Sequence, residues 1–201
     1  MISKILKSLL VVLKLILRFR ENVLNFFLFK LARVDFNDVS VMGVLHLRNH
    51  GEVVIGKNVK INSSISANPV RGSKSVVFVE SGAKLVLGNN VGISNSVIYA
   101  KSEIVIEDNV MIGAGSAIYD SDFHCIDYFE RIELGDKEVS HKPVLIGEGA
   151  FIGAGSIILK GVHVGARSVI GAGSVVARSV PPGEIWAGNP AKFIKRLSFE
   201  S

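Results

Sequence analysis

Little in this chain would let it belong to several common protein classes. Its 201 residues hold one cysteine, Cys125, which excludes a disulfide framework. Aromatics make up only 7%, and no basic–aromatic ladder runs through the middle. A nucleic-acid partner is therefore not expected, although the net charge is +5, because much of that charge sits at the two ends. Long apolar runs are missing as well. In the greasiest stretch the longest is Leu9–Leu13, far short of the ~20 residues of a transmembrane span. The small residues that close a cleaved signal region are absent too, since Arg18, Arg20 and Glu21 follow instead. What remains is a chain 48% apolar, enough for one substantial core, and a cysteine content that suits a reducing cytoplasm.

The core declares itself between Ile146 and Val180. Ile146, Ile152, Ile158, Val164, Ile170 and Val176 recur every sixth residue. Each is followed by Gly147, Gly153, Leu159, Gly165, Gly171 or Ala177, small in all but one case. Four places on stand Ala150, Ser156, Val162, Ser168, Ser174 and Val180, again small or β-branched. A period of six gives no helical stripe but is a multiple of two, so every sixth side chain can face one way in extended chain. Frequent glycine and serine forbid one long strand. Short strands joined by bends satisfy both demands, and three of them close a triangular turn whose successors stack at roughly 4.8 Å.

Repeats such as Ile152-Gly-Ala-Gly-Ser156 and Ile170-Gly-Ala-Gly-Ser174 resemble those of the hexapeptide-repeat acyltransferases. The resemblance covers roughly residues 50–196. It implies an all-β solenoid, a left-handed parallel β-helix, whose hand departs from the usual right-handed crossover. The expected organisation is an amphipathic helical segment over 1–34, the β-helix over 35–182, and a cap over 183–201 ending in a short helix or tail.

In the first segment, Lys4, Lys7, Lys14 and Arg18 fall within a stripe of about 80° at helical pitch, and the other sides are almost wholly Leu, Ile and Val. Two readings stand. One is a helix lying in a membrane surface, aided by Phe26, Phe27 and Phe29. The other is a helix packed on its own β-helix or on a sister subunit. Further on, His46 and His50 lie in a strand-rich stretch and read as surface residues. Residues 66–75 break the rhythm and read as a loop. Period six returns at Leu87, Ile93 and Tyr99, then, after one extra residue, at Ile106, Ile112 and Ile118. Asn89-Asn90 and Asp108-Asn109 suit corners. Asn95, two beyond Ile93, is expected to point outward, as a turn amide or, by resemblance to sugar acetyltransferases of this fold, as a substrate contact.

Between Ile118 and Ile146 the repeat vanishes for 27 residues. So long an excursion from a regular solenoid is usually functional. It holds Asp120, Asp122, His124, Asp127, Glu130 and His141. Tyr119-Asp-Ser-Asp-Phe-His124 resembles the segment in which sugar O-acetyltransferases carry their catalytic histidine. The chemistry calls for one: a hydroxyl attacking a thioester must lose its proton, and a neutral imidazole can take it near pH 7. Asp122 is the candidate to orient His124. Asp120 stands as substrate contact or second choice, and His141 as substrate contact or plain loop residue. Cys125 adjoins His124, but neighbours in sequence rarely bring their side chains into reach, and the resemblance implies direct transfer.

The Gly-Ala-Gly corners, Gly153, Ala154, Gly171 and Ala172 among them, leave backbone uncovered by side chains, where a thin ligand such as pantetheine can lie. Pro181-Pro182 is read as ending the solenoid. Gly188-Asn189-Pro190-Ala-Lys192 resembles a common ending of these enzymes, which implies a cap that lines the coenzyme A site. Asn189, Pro190, Lys192 and Arg196 are its candidate contacts, with Lys195 beside them.

Together these point to an acetyl-CoA-dependent O-acetyltransferase acting on a sugar of a cell-envelope polysaccharide, lipid- or nucleotide-linked. The resemblance implies a homotrimer. The expected location is the cytoplasm or the inner face of its membrane. An N-acetyltransferase on an amino sugar and a non-enzymatic β-helix module remain as alternatives. A zinc hydratase of the γ-carbonic-anhydrase type needs three converging histidines. His124, His141 and His163 lack that spacing, so no metal is expected.

Overall fold

A computed structural model describes residues 2–35, 38–64, 74–133, 135, 137 and 139–198, with side chains from Leu6 onward. Nearly all of the interruption expected at 66–75 lies outside them. The chain forms a left-handed parallel β-helix. A first sheet stacks Val39–Gly43, Val59–Ser63, Gly92–Ser94, Met111–Ile112, Phe151–Ile152, Val169–Ile170 and Glu184–Gly188, with Ala191–Arg196 antiparallel at the end. The second stacks His46–Asn49, Val76–Val79, Val97–Ala100, Ala117–Tyr119, Ile157–Ile158 and Val175–Val176. The third stacks Glu52–Ile55, Lys84–Leu87, Glu103–Ile106, Val144–Ile146 and His163–Val164.

The core is a column of aliphatics in register. Ile93, Ile112, Ile152 and Ile170 stack on the first sheet, and Ile98, Ile118, Ile158 and Val176 on the second. All are buried. Tyr99 does not belong to this column as the period predicted. It faces outward, while Ile98 and Ala100 face in. The corner before it, Ser94-Asn95-Ser96, is one residue shorter than the Gly113–Ser116 corner stacked on it, so the rhythm slips there.

The two glycines of each Gly-Ala-Gly corner exist for different reasons. A Cβ on Gly153 would lie 2.6 Å from the Ala172 nitrogen and the Ile170 oxygen of the next coil. Gly113 and Gly147 meet the next coil in the same way. Gly155 and Gly173 instead adopt φ of +70° and +72°, the left-handed bend that turns the corner. Asn90 and Asn109 bend likewise at their own corner (φ +57° and +61°), and their side chains form a ladder from Asn58 through Asn90 to Asn109.

Two ends differ from expectation. Pro181-Pro182 does not stop the solenoid, since Glu184–Gly188 still joins the first sheet in parallel. The prolines sit at a corner, where Pro181 is used as an acceptor, from Ser168 Oγ at 2.7 Å. The tail is a β-hairpin, not a helix, because Ala191–Arg196 folds back on Glu184–Gly188. At the other end, helix α1 (Ile2–Leu31) caps the prism with its C-terminal third. Asn25 donates to Gly43 O at 2.8 Å and accepts from Leu45 N at 3.1 Å, Glu21 accepts from Gly43 N, and Phe29 is buried. Residues 6–20 are exposed at every position and do not pack on their own β-helix. Among the described residues no helix is long and apolar enough to cross a membrane.

Gly153→Ala should lose roughly 3 kcal/mol or more of stability, because the atoms it meets are backbone. Gly173→Ala, with nothing within 4 Å and only its φ against it, should lose about 1–2 kcal/mol. Denaturant unfolding of both variants measures the difference, and equal losses would show that the neighbouring coil gives way.

Candidate active site

The excursion leaves the second sheet at Tyr119, the chain enters the third sheet after Lys142, and the two ends of the excursion are zipped together. Asp122 N donates to Ser140 O at 3.0 Å, Lys142 N donates to Asp120 O at 2.9 Å, and Ser121 and His141 form an antiparallel bridge. Only the middle projects. It carries the short helix α2 (Tyr128–Ile132), capped by Asp127, whose carboxylate accepts from Glu130 N.

His124 stands exposed at the base of this projection, directly after Phe123. Phe123 adopts φ +65° and packs its ring on Tyr99 (centroids 4.6 Å) and Tyr119 (5.1 Å). That anchor fixes where the next residue emerges. Asp122 is held by a residue distant in sequence: Lys160 Nζ, from the following coil, donates to Asp122 Oδ2 at 2.5 Å and to Ser140 Oγ at 2.9 Å. Lys160 lies 38 residues after Asp122 in sequence and on the next turn in space, so no local motif could have revealed it. Cys125 is buried, with its carbonyl accepting from the Arg131 guanidinium. The packing that keeps it from solvent makes it unsuited to nucleophilic attack.

Two candidate contacts are corrected. Asp120 is fully buried, and its carboxylate oxygens accept the backbone N–H groups of Lys101 and Ser102, each at 2.7 Å. It closes a corner and does not reach a substrate. Asn95 is not outward-facing: φ is +46° and the residue is 1% exposed, with Nδ2 donating to Ser64 O at 3.2 Å. It occupies the left-handed corner position that glycine fills at Gly115 in the next coil, and the bend turns its side chain inward. Strand alternation cannot be counted through such a bend. His141 is exposed, with its Nδ1 3.1 Å from Val139 O.

On the C-terminal coils, the amides of Gly153 and Gly171 donate to Ile170 O and Trp186 O, so they are committed to the ladder and not left for a ligand. A Cβ at Gly171 would also strike Ala187 Cβ at 2.7 Å. The corner alanines are more open, Ala154 half-buried and Ala172 exposed. Asn189 and Pro190, joined by a cis bond, form the exposed turn of the C-terminal hairpin, with Lys192 exposed beyond it. Arg196 lies 3.3 Å from the buried carboxylate of Glu184, which also accepts from Trp186 Nε1. Among the described residues no three His, Cys, Asp or Glu side chains are grouped to hold a metal ion.

Residues 143–178 match the family described as bacterial transferase hexapeptide (six repeats), and residues 103–119 the hexapeptide repeat of succinyl-transferase. The Saccharomyces cerevisiae protein "Putative acetyltransferase YJL218W" is 37% identical over 122 residues, 60% of each chain. A mitochondrial γ carbonic anhydrase 2 of Arabidopsis thaliana is 29% identical over 140 residues, 62% of this chain and 49% of its own. The chain thus spans about three fifths and one half of the lengths of these curated relatives. Among solved structures, a hexapeptide-repeat acetyltransferase of Vibrio cholerae O1 biovar eltor in complex with acetyl coenzyme A is 26% identical. It has a TM-score of 0.51 and covers 77% of this chain and 72% of its own.

Burial and the Glu80 carboxylate, which accepts from the Tyr99 hydroxyl at 2.8 Å, push the phenol of Tyr99, on which Phe123 packs, up to about 12. A neutral phenol favoured by the fold contributes stability fully below the ordinary phenol pKa of about 10 and loses it as pH rises toward that raised value. Ultraviolet titration of tyrosinate should show one phenol ionising near the raised value, and Tyr99→Phe should remove that step.

Proposed function

The chain belongs to the hexapeptide-repeat acyltransferase family, and on that premise we propose that it transfers an acetyl group from acetyl coenzyme A to a sugar hydroxyl, with His124 as general base. The observation that carries this reading is the excursion itself. It interrupts the prism once, is pinned at its neck by Lys160, and presents an exposed imidazole on an aromatic anchor.

The reaction balances through His124. Its neutral ring takes the proton of the acceptor hydroxyl as the oxygen attacks the thioester carbonyl. The C–S bond breaks, and the departing thiolate takes up the proton. Of the donor contacts, Ala154 and Ala172 offer backbone at open corners, and Asn189, Pro190 and Lys192 offer an exposed turn and a cation for the nucleotide end. With Glu184 beside it, Arg196 is a weaker candidate for the phosphates. Asp122, tied to Lys160, holds the loop and so positions His124. The acceptor belongs to an envelope polysaccharide, and the working unit is a homotrimer.

The membrane enters through α1. Residues 6–20 form an exposed arm about 22 Å long, greasy on most sides, with Lys7, Lys14 and Arg18 exposed along it. Such an arm lies in a lipid surface with its cations toward the headgroups, at the cytoplasmic face where lipid-linked sugars are presented.

His124→Ala should keep its fold and lose about 10²–10⁴-fold in transfer, measured against sugar acceptors offering hydroxyl or amine; full turnover would reject it as base. Coenzyme A at a hundred times its dissociation constant should raise stability by about 2.7 kcal/mol, and no thermal shift would reject the donor. Removing residues 1–20 should move the protein from the membrane to the soluble fraction, whereas an unchanged distribution would assign the arm to contact between subunits.

A further inference from the structure

The second sheet carries an unusual outer face. Arg48, Phe78, Tyr99 and Tyr119 stand in register on four successive coils. The Arg48 guanidinium lies 5.1 Å from the centre of the Phe78 ring, Phe78 and Tyr99 stack at 5.4 Å with their planes 18° apart, and Tyr99 meets Phe123. Two of the three tyrosines in the chain are here. None of these side chains is in the core, and three strand spacings of roughly 4.8 Å give the row a length of about 14 Å. One end of the row is Phe123, the residue before His124.

The other end opens into a cavity of about 650 Å³ between the end of α1 and the corner at residues 47–53. Leu28 and Leu31 line one side, and Arg33, Arg48 and His50 supply the polar part. Glu52 also borders it but pairs with Lys84 at 3.0 Å. Arg48 Nε donates to His50 Nε2 at 3.1 Å, and among the described residues no carboxylate pairs with Arg33 or Arg48. Two unneutralised guanidinium groups at a cavity suit a phosphate. With Arg48 and Tyr99, one coil to either side, lying against the faces of Phe78, the row turns ring edges outward, and apolar edges beside the Tyr99 hydroxyl and Glu80 suit the alternating C–H and hydroxyl surface of a sugar.

We propose that this face binds an oligosaccharide acceptor bearing a phosphate at the end remote from the acetylated hydroxyl. The phosphate sits at Arg33 and Arg48, and the sugar rings lie along Phe78 and Tyr99 toward His124. The proposal rests on the acyl-transfer reading only for which end of the sugar reacts. A single neutral ring would leave most of the track uncovered. The cavity adjoins the helix proposed to lie on the membrane, so the phosphate can belong to a lipid carrier or to a soluble sugar phosphate.

Calorimetric titration of the full chain, with no acetyl donor present, tests this directly. The probes are maltotriose, its 1-phosphate, and maltotriose joined through a diphosphate to a short prenyl chain. The 1-phosphate should bind at least tenfold tighter than maltotriose. Arg48→Gln should erase that advantage and Arg48→Lys should keep most of it. Phe78→Ala should weaken both sugars at least tenfold, with melting temperature and oligomer mass unchanged. Tighter binding of the prenyl form assigns the phosphate to a lipid carrier, and tighter binding of the 1-phosphate assigns it to a soluble acceptor. Equal affinity for charged and neutral sugar overturns the proposal. So does a Phe78→Ala variant that changes oligomer mass, because the row would then pack between copies. Loss of the coenzyme A thermal shift would sink the acyl-transfer reading and leave this binding result standing.

Discussion

Everything in this molecule depends on one coil coming within strand distance of the next. Parallel ladders join each turn to the turns on either side, so every backbone group of a strand is satisfied only if the register holds along the whole prism. The close approach sets the composition of the corners. Where the next coil's backbone passes within 2.6 Å of a would-be Cβ, as at Gly113, Gly147 and Gly153, only glycine fits. Where the chain bends left-handed, glycine or asparagine stands. Serines turned into the corners tie coil to coil, with Ser96 Oγ reaching Gly113 O, Ser116 Oγ reaching Gly153 O and Ser156 Oγ reaching Gly171 O. The repeat is thus the imprint of a stacking constraint applied once per side.

A scaffold so regular has little freedom within its walls, which is why the candidate chemistry lies where the rule is suspended. The excursion can project because its neck is closed by backbone bonds between residues 120–122 and 140–142 and by Lys160 on the adjoining coil. Asp120 shows the division of labour. It sits at the point of departure, and its buried carboxylate completes the corner below, so that two residues later the chain is free to leave. An ion pair with both side chains about one-fifth exposed contributes more here by holding geometry than by net stability.

The two ends of the prism are closed in different ways. The C-terminal hairpin folds back on the last strand of the first sheet, and Glu184 gathers Trp186 and Arg196 beneath it. At the N-terminal end Asn25 and Phe29 of α1 seal the first coil, and the rest of the helix stands away from the protein. A cavity forms at that junction because a cylinder laid across a triangular section cannot cover it. The aromatic row links this junction to the excursion, so the two places where the solenoid is irregular lie along one face.

The six-residue period by itself determined the core, because each aliphatic recurs at the inward position of the next side of the prism. It likewise marked the excursion, since a strict rhythm makes its own interruption visible. Counting failed at Tyr99 and Asn95, where a corner one residue short and a left-handed bend reversed which face a side chain takes. Pro181-Pro182 and the tail also misled it, because proline at a corner removes no needed donor and the strand that follows finds its partner in space. Only the tertiary structure decided that Asp120 serves the fold, that Lys160 holds Asp122, and that Arg48, Phe78 and Tyr99 form one surface. Those partners are 18 to 38 residues apart where hydrogen-bonded and meet one coil over. A local pattern records how a residue sits within its own turn; the neighbour it touches is set by the length of the turn between them.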